Sequence, residues 1–416
     1  MKIVYLMDDC PPESFGGAGI IAFEQIKGVS AREHDVIVIA TTRDKNEEGR
    51  KMHEGIVVER VYTDYHIRWQ AYMSLYNPRV VHKINLILRQ ECPDIVHAHN
   101  IHRYISYGVL LSAKRYAKVV CMTVRDAMLV EYGKLYPRNP NAVSDYNYRV
   151  SIWKQIKQER WRWNPLRNII IRLIISRIDA LYVPSQALAE GLRQNGINVT
   201  KVLPEGFDPQ ALRMHTDGFQ VFKERYELSG KRIMLFGGRI SAAKGAVAAL
   251  ETLKNVSHEV RNIVLLIAGK RDVYTDDILT EARIRGVEDK VIITGWLPRE
   301  DMAYAYAAAD IVLVLSTYLD PFPTINLEAM SLAKPIIGTS FGGTSEAIID
   351  GVTGIIVNPY KIKAAVPRIV KLLQSLSLQK EYGEAGRRRL VEEFSIGRRA
   401  LEVENEYNRI LKKSKK

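Results

Sequence analysis

Short runs of valine and isoleucine, separated by helix-like segments, recur along the whole chain and restrict its fold more than any other feature. In the first half these runs predict strands over residues 2–7, 35–41, 55–62, 94–99, 117–124 and 179–184. In the second half they predict strands over 232–236, 262–268, 290–294, 311–315, 335–339 and 353–357. Continuous apolar runs are typical of parallel strands buried on both faces. The chain is therefore predicted to be α/β, with two Rossmann-like doubly wound domains facing a central cleft.

Breaks in this pattern mark the expected domain boundaries. Between residues 203 and 231 the sequences PEGFDP and LSGK interrupt the alternation of strands and helices. We therefore expect an N-terminal domain over 1–205, a C-terminal domain over 206–395 and a C-terminal helix over 396–416.

Charge and cysteine content restrict the cellular compartment and the classes of partner that are expected for this chain. The 416 residues carry 60 Lys and Arg against 47 Asp and Glu, a formal net charge of +13. Such an excess is compatible with nucleic acid, anionic lipid or phosphorylated substrates. Three cysteines without a CxxC pair favour a reducing cytoplasm. The apolar N-terminus is too short for a signal peptide, and no apolar run is long enough to predict a membrane span.

A glycine-rich loop, with Gly16, Gly17 and Gly19, precedes the first predicted helix. Glycines at this place let backbone N–H groups approach a phosphate at the helix N-terminus. The spacing Gly17-x-Gly19-x-x-Ala22 also matches the dinucleotide fingerprint of nicotinamide oxidoreductases. Two features argue against that function, because residues 8–14 separate the loop from the strand and no acidic residue closes the second strand. A plain tight turn stays open as an alternative.

A second glycine turn follows the predicted strand over 232–236 and leads into two cations. Gly237, Gly238 and Arg239 come directly after this strand, and Lys244 lies five residues after Arg239. An arginine and a lysine at a strand end can clamp a diphosphate, the arginine through two hydrogen bonds and the lysine as a point charge. Taken alone, two such cations are more often an exposed surface pair.

Two carboxylates, Asp320 and Glu328, flank a Pro-Phe-Pro turn. The spacing predicts that Asp320 lies in a loop and Glu328 in the first turns of a helix. Pro323 suits the first helical position, where its missing N–H is not needed. Free amides from Thr324 onward then favour a phosphate. The alternative is an ordinary surface acid followed by a capping acid.

The stretch over residues 295–359, together with these motifs, resembles the family-4 retaining glycosyltransferases of the GT-B type, the glycosyl transferases group 1. The resemblance runs over nearly the whole chain. It implies a hexosyltransferase-type enzyme (EC 2.4) that moves a sugar from a UDP- or GDP-sugar to a glycan or lipid-linked acceptor, with retention and without a metal or another cofactor. It also implies that residues 1–205 hold the acceptor side, that 206–395 bind the nucleotide sugar, and that the helix over 396–416 crosses back to the first domain.

The resemblance assigns roles to individual residues. Arg239 and Lys244 would neutralise the leaving diphosphate, Glu328 would hold the ribose hydroxyls, and Asp320 would contact the transferred sugar. The implied catalytic residues are Arg239, Lys244 and Asp320, and the implied donor-binding residues are Gly16, Gly17, Gly238, Arg239, Lys244, Phe322, Thr324, Ile325 and Glu328. Asp320 replaces the usual Glu and Pro323 the usual Gly, so the identity of the donor stays open.

His97 and His99 project from one face of the predicted strand over 94–99. A metal site needs a third ligand, and the spacing supplies none, so no metal site is predicted. The resemblance implies that this strand end shapes the acceptor side, with His99, Asn100 and Arg125 as candidate residues. Many relatives carry a histidine where Arg125 stands. An arginine cannot be a general base near neutrality, but it can hold a phosphate, an acidic sugar or a lipid pyrophosphate.

The segment over residues 149–177 is rich in basic and aromatic residues. It carries eight Lys and Arg, one acid and three tryptophans, followed by an apolar run. This composition suits contact with an anionic membrane at its inner, cytoplasmic face. Two crossover helices with a basic outer face are an equal alternative. No nucleic-acid-binding module accompanies the segment, so nucleic acid is not an expected partner.

Departures from the family pattern leave a second function open. Arg125, Glu205 (for the Asn of a P-N-G-x-D hinge motif), Asp320 and Pro323 differ from the usual residues. An inactive binding or scaffold protein of the same fold would explain them, and the nicotinamide oxidoreductase is the weaker rival.

Overall fold

The computed structural model describes residues 1–12, 17–271 and 273–414. Its strands are β1 Lys2–Met7, β2 Asp35–Thr42, β3 Gly49–His53, β4 Ile56–Tyr62, β5 Ile95–His99, β6 Val119–Thr123, β7 Ala180–Val183, β8 Lys201–Val202, β9 Arg232–Gly237, β10 Ile263–Ala268, β11 Val291–Gly295, β12 Ile311–Val314, β13 Ile336–Thr339 and β14 Gly354–Val357.

Its α-helices alternate with these strands for most of the chain. They are α1 Gly17–Ser30, α2 Gln70–Met73, α3 Pro78–Glu91, α4 Gly108–Ala113, α5 Ile152–Glu159, α6 Arg167–Ile175, α7 Gln186–Arg193, α8 Thr216–Arg225, α9 Ala246–Val256, α10 Val273–Ile284, α11 Arg299–Ala308, α12 Thr324–Ser331, α13 Thr344–Ala347, α14 Val366–Gln374, α15 Leu376–Glu393 and α16 Ile396–Ser414. Within the described residues, no helix combines the length and the apolar character that crossing a membrane requires.

The structure divides into two compact units, each built on one sheet. The first unit comprises Met1–Leu135, Asn147–Gly206 and Ile396–Lys416, and the second comprises Tyr136–Tyr146 and Phe207–Ser395. The first sheet has the strand order β3-β4-β2-β1-β5-β6-β7-β8, and the second has the order β11-β10-β9-β12-β13-β14. The segment Tyr136–Tyr146 thus groups with the second unit, although a division of the sequence at residue 205 assigns it to the first.

The strands of the second sheet other than the edge strand β11 are mostly buried on both faces. Along β9, Met234 and Phe236 pack into the core on one face, and Ile233 and Leu235 pack into the core on the other. Because every neighbouring pair in this sheet is parallel, all carboxyl ends lie along one edge. The polar residues that follow the strands therefore gather at that edge.

The C-terminal helix α16 is part of the first unit. Its apolar stripe of Ala400, Val403, Tyr407 and Ile410 packs in the same core as strands β1, β2 and β5. This spacing places the four side chains on one face of a helix. At the edge of the stripe, Arg32 donates a hydrogen bond of 2.6 Å to Glu404.

A buried chain of hydrogen bonds ties α16 to three strands of the first sheet. The Tyr407 hydroxyl lies 2.9 Å from the Tyr5 hydroxyl and 2.6 Å from Nδ1 of His97. Nε2 of His97 lies 2.8 Å from Oγ1 of Thr123. Because both ring nitrogens are used inside the core, His97 is a structural residue.

The sequence predicts the fold class correctly, and all six predicted strands of each half occur to within two residues at either end. Two strands are missing from the prediction. Strand β3 has the polar sequence GRKMH and pairs antiparallel with β4 at the sheet edge, so it lacks the apolar run on which the prediction depends. Strand β8 is only two residues long.

The buried His97 predicts a loss of stability at acid pH. Burial, reinforced by the charge of Arg125, lowers the pKa of His97 to about 3. An unfolded chain has a histidine pKa of about 6.5. Between these values the unfolded state binds a proton that the folded state does not, so His97 makes stability fall by about 1.4 kcal/mol per pH unit as the pH drops.

Urea unfolding at pH 7, 6 and 5 measures this dependence. His97→Gln keeps hydrogen-bonding capacity without titrating, and we expect a shallower loss of unfolding free energy in this variant. Equal slopes for the two proteins would contradict the role given to His97.

Candidate functional site

The candidate site lies at the carboxyl edge of the second sheet, between β9 and β12. In the second sheet, β10 and then β11 are added on one side of β9, whereas β12, β13 and β14 are added on the other side. The direction in which successive strands are added therefore reverses between β9 and β12. In doubly wound sheets, such a reversal leaves a crevice outside the strand ends, where ligands bind. The predicted donor residues follow these two strands.

The turn after β9 presents Arg239 to solvent. Gly238 adopts a φ of +101°, and its carbonyl oxygen lies 2.2 Å from where a Cβ of Gly269 would be, so the turn packs tightly on the end of β10. Arg239 is exposed, and within the described part of the chain no hydrogen bond or ion pair engages its guanidinium. It is therefore a cation that is available to a ligand.

Lys244, by contrast, is paired. Its Nζ lies 2.6 Å from Oδ2 of Asp320, and the same oxygen accepts a hydrogen bond of 2.8 Å from Oγ of Ser316. The ammonium also lies 5.5 Å from the ring centroid of Tyr318. Burial lowers the pKa of Lys244, but the Asp320 carboxylate outweighs it, and the net pKa is raised. The structure thus joins two of the predicted catalytic residues into one ion pair.

A glycine makes this pairing sterically feasible. Gly245 has a φ of +91°, and a Cβ there would lie 2.0 Å from the carbonyl oxygen of Leu315. Any other residue would push the Lys244 turn away from the end of β12. The amide of Thr317 closes the same contact by donating to the carbonyl of Ala243 at 2.8 Å.

Helix α12 supplies the next group of predicted donor residues. Pro323 is the N-cap and Thr324 is the first helical residue, so the prediction of Pro323 as the first helical position is off by one residue. A Cβ on Gly237 would lie 3.0 Å from Cδ1 of Ile325, which places the start of α12 against the end of β9. The first amides of α12 therefore lie at the same edge as Arg239.

Glu328 is oriented by a residue that the sequence does not reveal. The buried hydroxyl of Tyr306 donates a hydrogen bond of 2.6 Å to Oε2 of Glu328. Burial, followed by the Glu328 charge, raises the pKa of Tyr306, so the phenol remains a donor. Tyr306 lies 22 residues before Glu328 in another helix, and no spacing rule connects them.

Phe322 and the Gly342-Gly343 loop pack against the residues that carry the site. Phe322 is buried, with its ring centroid 5.6 Å from that of Phe394, so its side chain packs in the core. The amide of Gly343 donates to the carbonyl of Asp320 at 2.9 Å, and a Cβ on Gly342 would lie 2.1 Å from that oxygen. The loop therefore fixes the backbone that carries Asp320.

The first unit contains the other predicted residues. Gly16 lies outside the described residues, and Gly17 is the exposed first residue of α1. Asn100 adopts a φ of +48°, and its Oδ1 accepts a hydrogen bond of 3.1 Å from the amide of Arg125. Among the described residues, no cluster of three His, Cys, Asp or Glu side chains could hold a metal ion.

Arg125 is buried in a network, in contrast to the expected anion-binding role. Its Nε donates to Oε1 of Glu205 at 2.7 Å, and its Nη2 donates to Oε1 of Gln25 at 2.6 Å. Nη1 contacts Nδ1 of His99. The guanidinium is thus occupied by side chains of its own unit, and a ligand anion would have to displace Glu205.

The contact with Arg125 determines the protonation state of His99. An arginine can only donate, so Nδ1 of His99 accepts and the proton of the neutral ring is on Nε2. Burial, followed by electrostatic interaction with His97 and Arg125, lowers the pKa of His99 well below its usual value. Neither His99 nor Arg125 is exposed, and of the three acceptor-side candidates only Asn100 reaches solvent.

Two family models match the chain in succession. The model described as Glycosyltransferase Family 4 matches residues 15–211, and the model described as Glycosyl transferases group 1 matches residues 219–389. An uncharacterized glycosyltransferase of Methanocaldococcus jannaschii is 23% identical over 419 residues, which cover 98% of this chain and 98% of that protein. Two other relatives are matched over only part of their length. The match covers 62% of the putative glycosyltransferase YtcC of Bacillus subtilis and 42% of the alpha-D-kanosaminyltransferase of Streptomyces kanamyceticus.

Solved structures of similar fold agree with these matches. Sucrose-phosphate synthase from Thermosynechococcus elongatus has a TM-score of 0.75 at 19% identity, covering 99% of each chain. HepE from Anabaena in complex with UDP-glucose has a TM-score of 0.70 at 18% identity, covering 98% of this chain and 100% of that one. These likenesses confirm the predicted α/β fold of the GT-B type.

The buried Arg125–Glu205 pair predicts a large cost for removing one partner. Glu205→Gln leaves the Arg125 guanidinium buried without a counter-charge, and we expect the free energy of unfolding to fall by about 3 kcal/mol. Urea unfolding at pH 7 measures this loss. The double variant Arg125→Met with Glu205→Gln removes both charges and should recover part of it. Wild-type stability in the single variant would show that the pair is not needed for folding.

Proposed function

The chain belongs to the glycosyltransferases of family 4 and group 1, and we propose that it uses a nucleotide-diphosphate sugar as donor. The acceptor is a glycan or a polyprenyl-linked sugar, and the configuration at the anomeric carbon is retained. The donor nucleotide is uridine or guanosine diphosphate. The observation that carries this proposal is the exposed Arg239 beside the start of α12, at the strand-order reversal of the second sheet.

The difficult step in such a transfer is the departure of an anionic diphosphate while the sugar becomes oxocarbenium-like. Positive groups that are already in place lower this barrier, because they meet the negative charge as it develops. In our proposal Arg239 donates to the diphosphate, and the amides of Thr324 and Ile325 receive it at the N-terminus of α12. These groups supply the charge that a divalent cation would otherwise supply.

Carboxylates orient the two ends of the donor in this proposal. Glu328 accepts from Tyr306 through Oε2, so Oε1 is the oxygen that we assign to the ribose hydroxyls. Asp320 accepts from Lys244 and Ser316 through Oδ2, so Oδ1 is the oxygen that we assign to the transferred sugar. Lys244 then acts on the diphosphate from its position beside Asp320. Front-face substitution is favoured over a covalent intermediate on Asp320.

On the acceptor side, we propose a direct contact for Asn100 and an indirect role for its buried neighbours. Asn100 lies at the carboxyl end of β5, where a ligand of the first unit is expected. Arg125 and His99 lie behind it, and the Asn100 side chain accepts from the Arg125 amide. They would therefore orient Asn100 and the adjacent loop without touching the acceptor.

We also propose that the segment Arg149–Arg177 contacts the anionic inner face of a membrane. Among the described side chains of this segment, five large apolar ones are exposed, with Trp153 at 81% and Leu173 at 60%. Lys157, Arg160 and Arg162 are exposed in the same segment. Basic residues with exposed tryptophan and leucine suit the interface between lipid and water. Such a contact would bring the enzyme to a polyprenyl-linked acceptor.

Arg167 is an exception within this segment. Its side chain is 1% exposed, donates to the carbonyl of Met128 and lies 4.6 Å from the ring centroid of Tyr132. It is a packing residue of the first unit, so a test of membrane contact must leave it unchanged.

Arg239→Ala tests the donor site. We expect the rate of sugar transfer to fall at least tenfold, and up to about 100–1000-fold, because a donor to the leaving group is lost. Transfer from UDP- and GDP-sugars is measured by chromatography of the product, and NMR of its anomeric proton tests retention. The matched control is Arg261→Ala, an exposed arginine just before β10, at the opposite end of the strands. Wild-type rates in Arg239→Ala would remove Arg239 from the mechanism.

Neutralising Arg160, Arg162 and Arg172 to Gln tests the membrane contact. A basic residue near an anionic surface contributes about 1 kcal/mol, so the triple variant should bind phosphatidylserine liposomes about 100-fold more weakly. Co-sedimentation measures the bound fraction. The matched control neutralises Lys254, Arg261 and Lys371, which are exposed in the second unit. Equal pelleting of the two triple variants would contradict the proposed surface.

A further inference from the structure

A short segment of the first half of the chain packs on the candidate donor edge. This segment, Tyr136–Tyr146, is here named the strap; it belongs to the second unit, whereas the residues on both of its sides belong to the first. It has neither a helix nor a strand. Its position is therefore set by contacts with the second unit.

The strap is held at the carboxyl ends of β13 and β14. The Tyr146 hydroxyl lies 2.9 Å from Oγ of Ser340, and its ring meets that of Phe341 edge-on, with 4.8 Å between the centroids. Asn358 donates to the carbonyl of Pro140 at 2.6 Å. One further bond of 3.0 Å runs from Nζ of Lys361 to the carbonyl of Asn141.

From there the strap reaches the Lys244–Asp320 pair by two routes. On the first route, the ring centroid of Tyr136 lies 6.1 Å from that of Tyr318, whose ring faces the Lys244 ammonium. On the second route, Tyr146 fixes Ser340 and Phe341, and the loop that follows bonds to the Asp320 carbonyl through the amide of Gly343. Both members of the ion pair are thus supported from the strap.

We propose that the strap is a positioning element of the donor site, an inference that rests on the function proposed above. It holds the Lys244 ammonium and the Asp320 carboxylate in the arrangement that receives the diphosphate and the sugar. A displacement of about 1 Å in a reacting group can reduce a rate about 100-fold. Side chains of a binding site must therefore be fixed by neighbours that do not touch the ligand. Tyr136 and Tyr146 are the positioning residues in the strap.

Tyr136→Ala removes the ring that packs on Tyr318. We expect the KM for the nucleotide sugar to rise at least fivefold, whereas the KM for the acceptor should not change. The melting temperature without ligand should stay within about 2 °C of wild type, because substitutions at surface contacts change stability little. Tyr136→Phe keeps the ring and should restore the donor KM. Ile284→Ala, which truncates an exposed apolar side chain of α10 in the same unit, is the matched control and should leave both KM values unchanged.

Tyr146→Phe provides a second variant, which removes the hydroxyl that lies 2.9 Å from Oγ of Ser340 and 3.5 Å from the carbonyl of Val143. We expect a donor KM that rises about threefold, in line with the loss of the hydrogen bond to Ser340, and Ser340→Ala should add nothing to it. If the wild-type enzyme transfers sugar and both tyrosine variants keep its donor KM, the strap is not a positioning element, although the proposed function stands. If the wild-type chain neither binds nor transfers any nucleotide sugar, the proposed function fails and this inference fails with it.

Discussion

Burial of both sheet faces is the constraint on which the rest of the structure depends. In the second unit, alternate residues of β9 pack into two separate hydrophobic cores, one on each face of the sheet, so neither face in the middle of this strand exposes a polar side chain to solvent. In the strands of this sheet the charged side chain is Arg232, at the start of β9, and other charged groups lie beyond the strand ends. Since the strands are parallel, their carboxyl ends form one edge, and Arg239, the Lys244–Asp320 pair and the start of α12 gather there. The electrostatics of the candidate site follow from this topology.

Two residues that differ from the family pattern explain each other once the structure is known. From the family resemblance we expect a histidine at the position of Arg125 and an asparagine at that of Glu205, 80 residues later. Both side chains are buried and share hydrogen bonds, so each supplies the counter-charge that the other needs. One buried ion pair thus accounts for the presence of both residues. Asp320, a third residue that differs from the family pattern, also has a partner of opposite charge, because it pairs directly with Lys244.

Residues of the same charge or type differ in role because they differ in burial and in their partners. Arg239 and Lys244 follow the same strand, yet one is exposed and the other is paired with a carboxylate. Within the basic segment, Arg167 packs on Tyr132 whereas Arg160 and Arg162 are exposed. Phe322 lies in the predicted donor motif but packs on Phe394. Spacing along the chain locates a site, and only packing decides which of its side chains can reach a ligand.

The sequence by itself determined twelve of the fourteen described strands, the two-sheet architecture and the region of the candidate site, because apolar runs and glycine turns act over a few neighbouring residues. Tertiary structure decided the partners. Tyr306 meets Glu328 from another helix, the strap reaches Tyr318 from the first half of the chain, and Glu205 meets Arg125. Such contacts join residues that are far apart in the chain, and nothing in local spacing encodes them. They arise only when the strands are placed side by side and the groups at their ends are forced to share one edge.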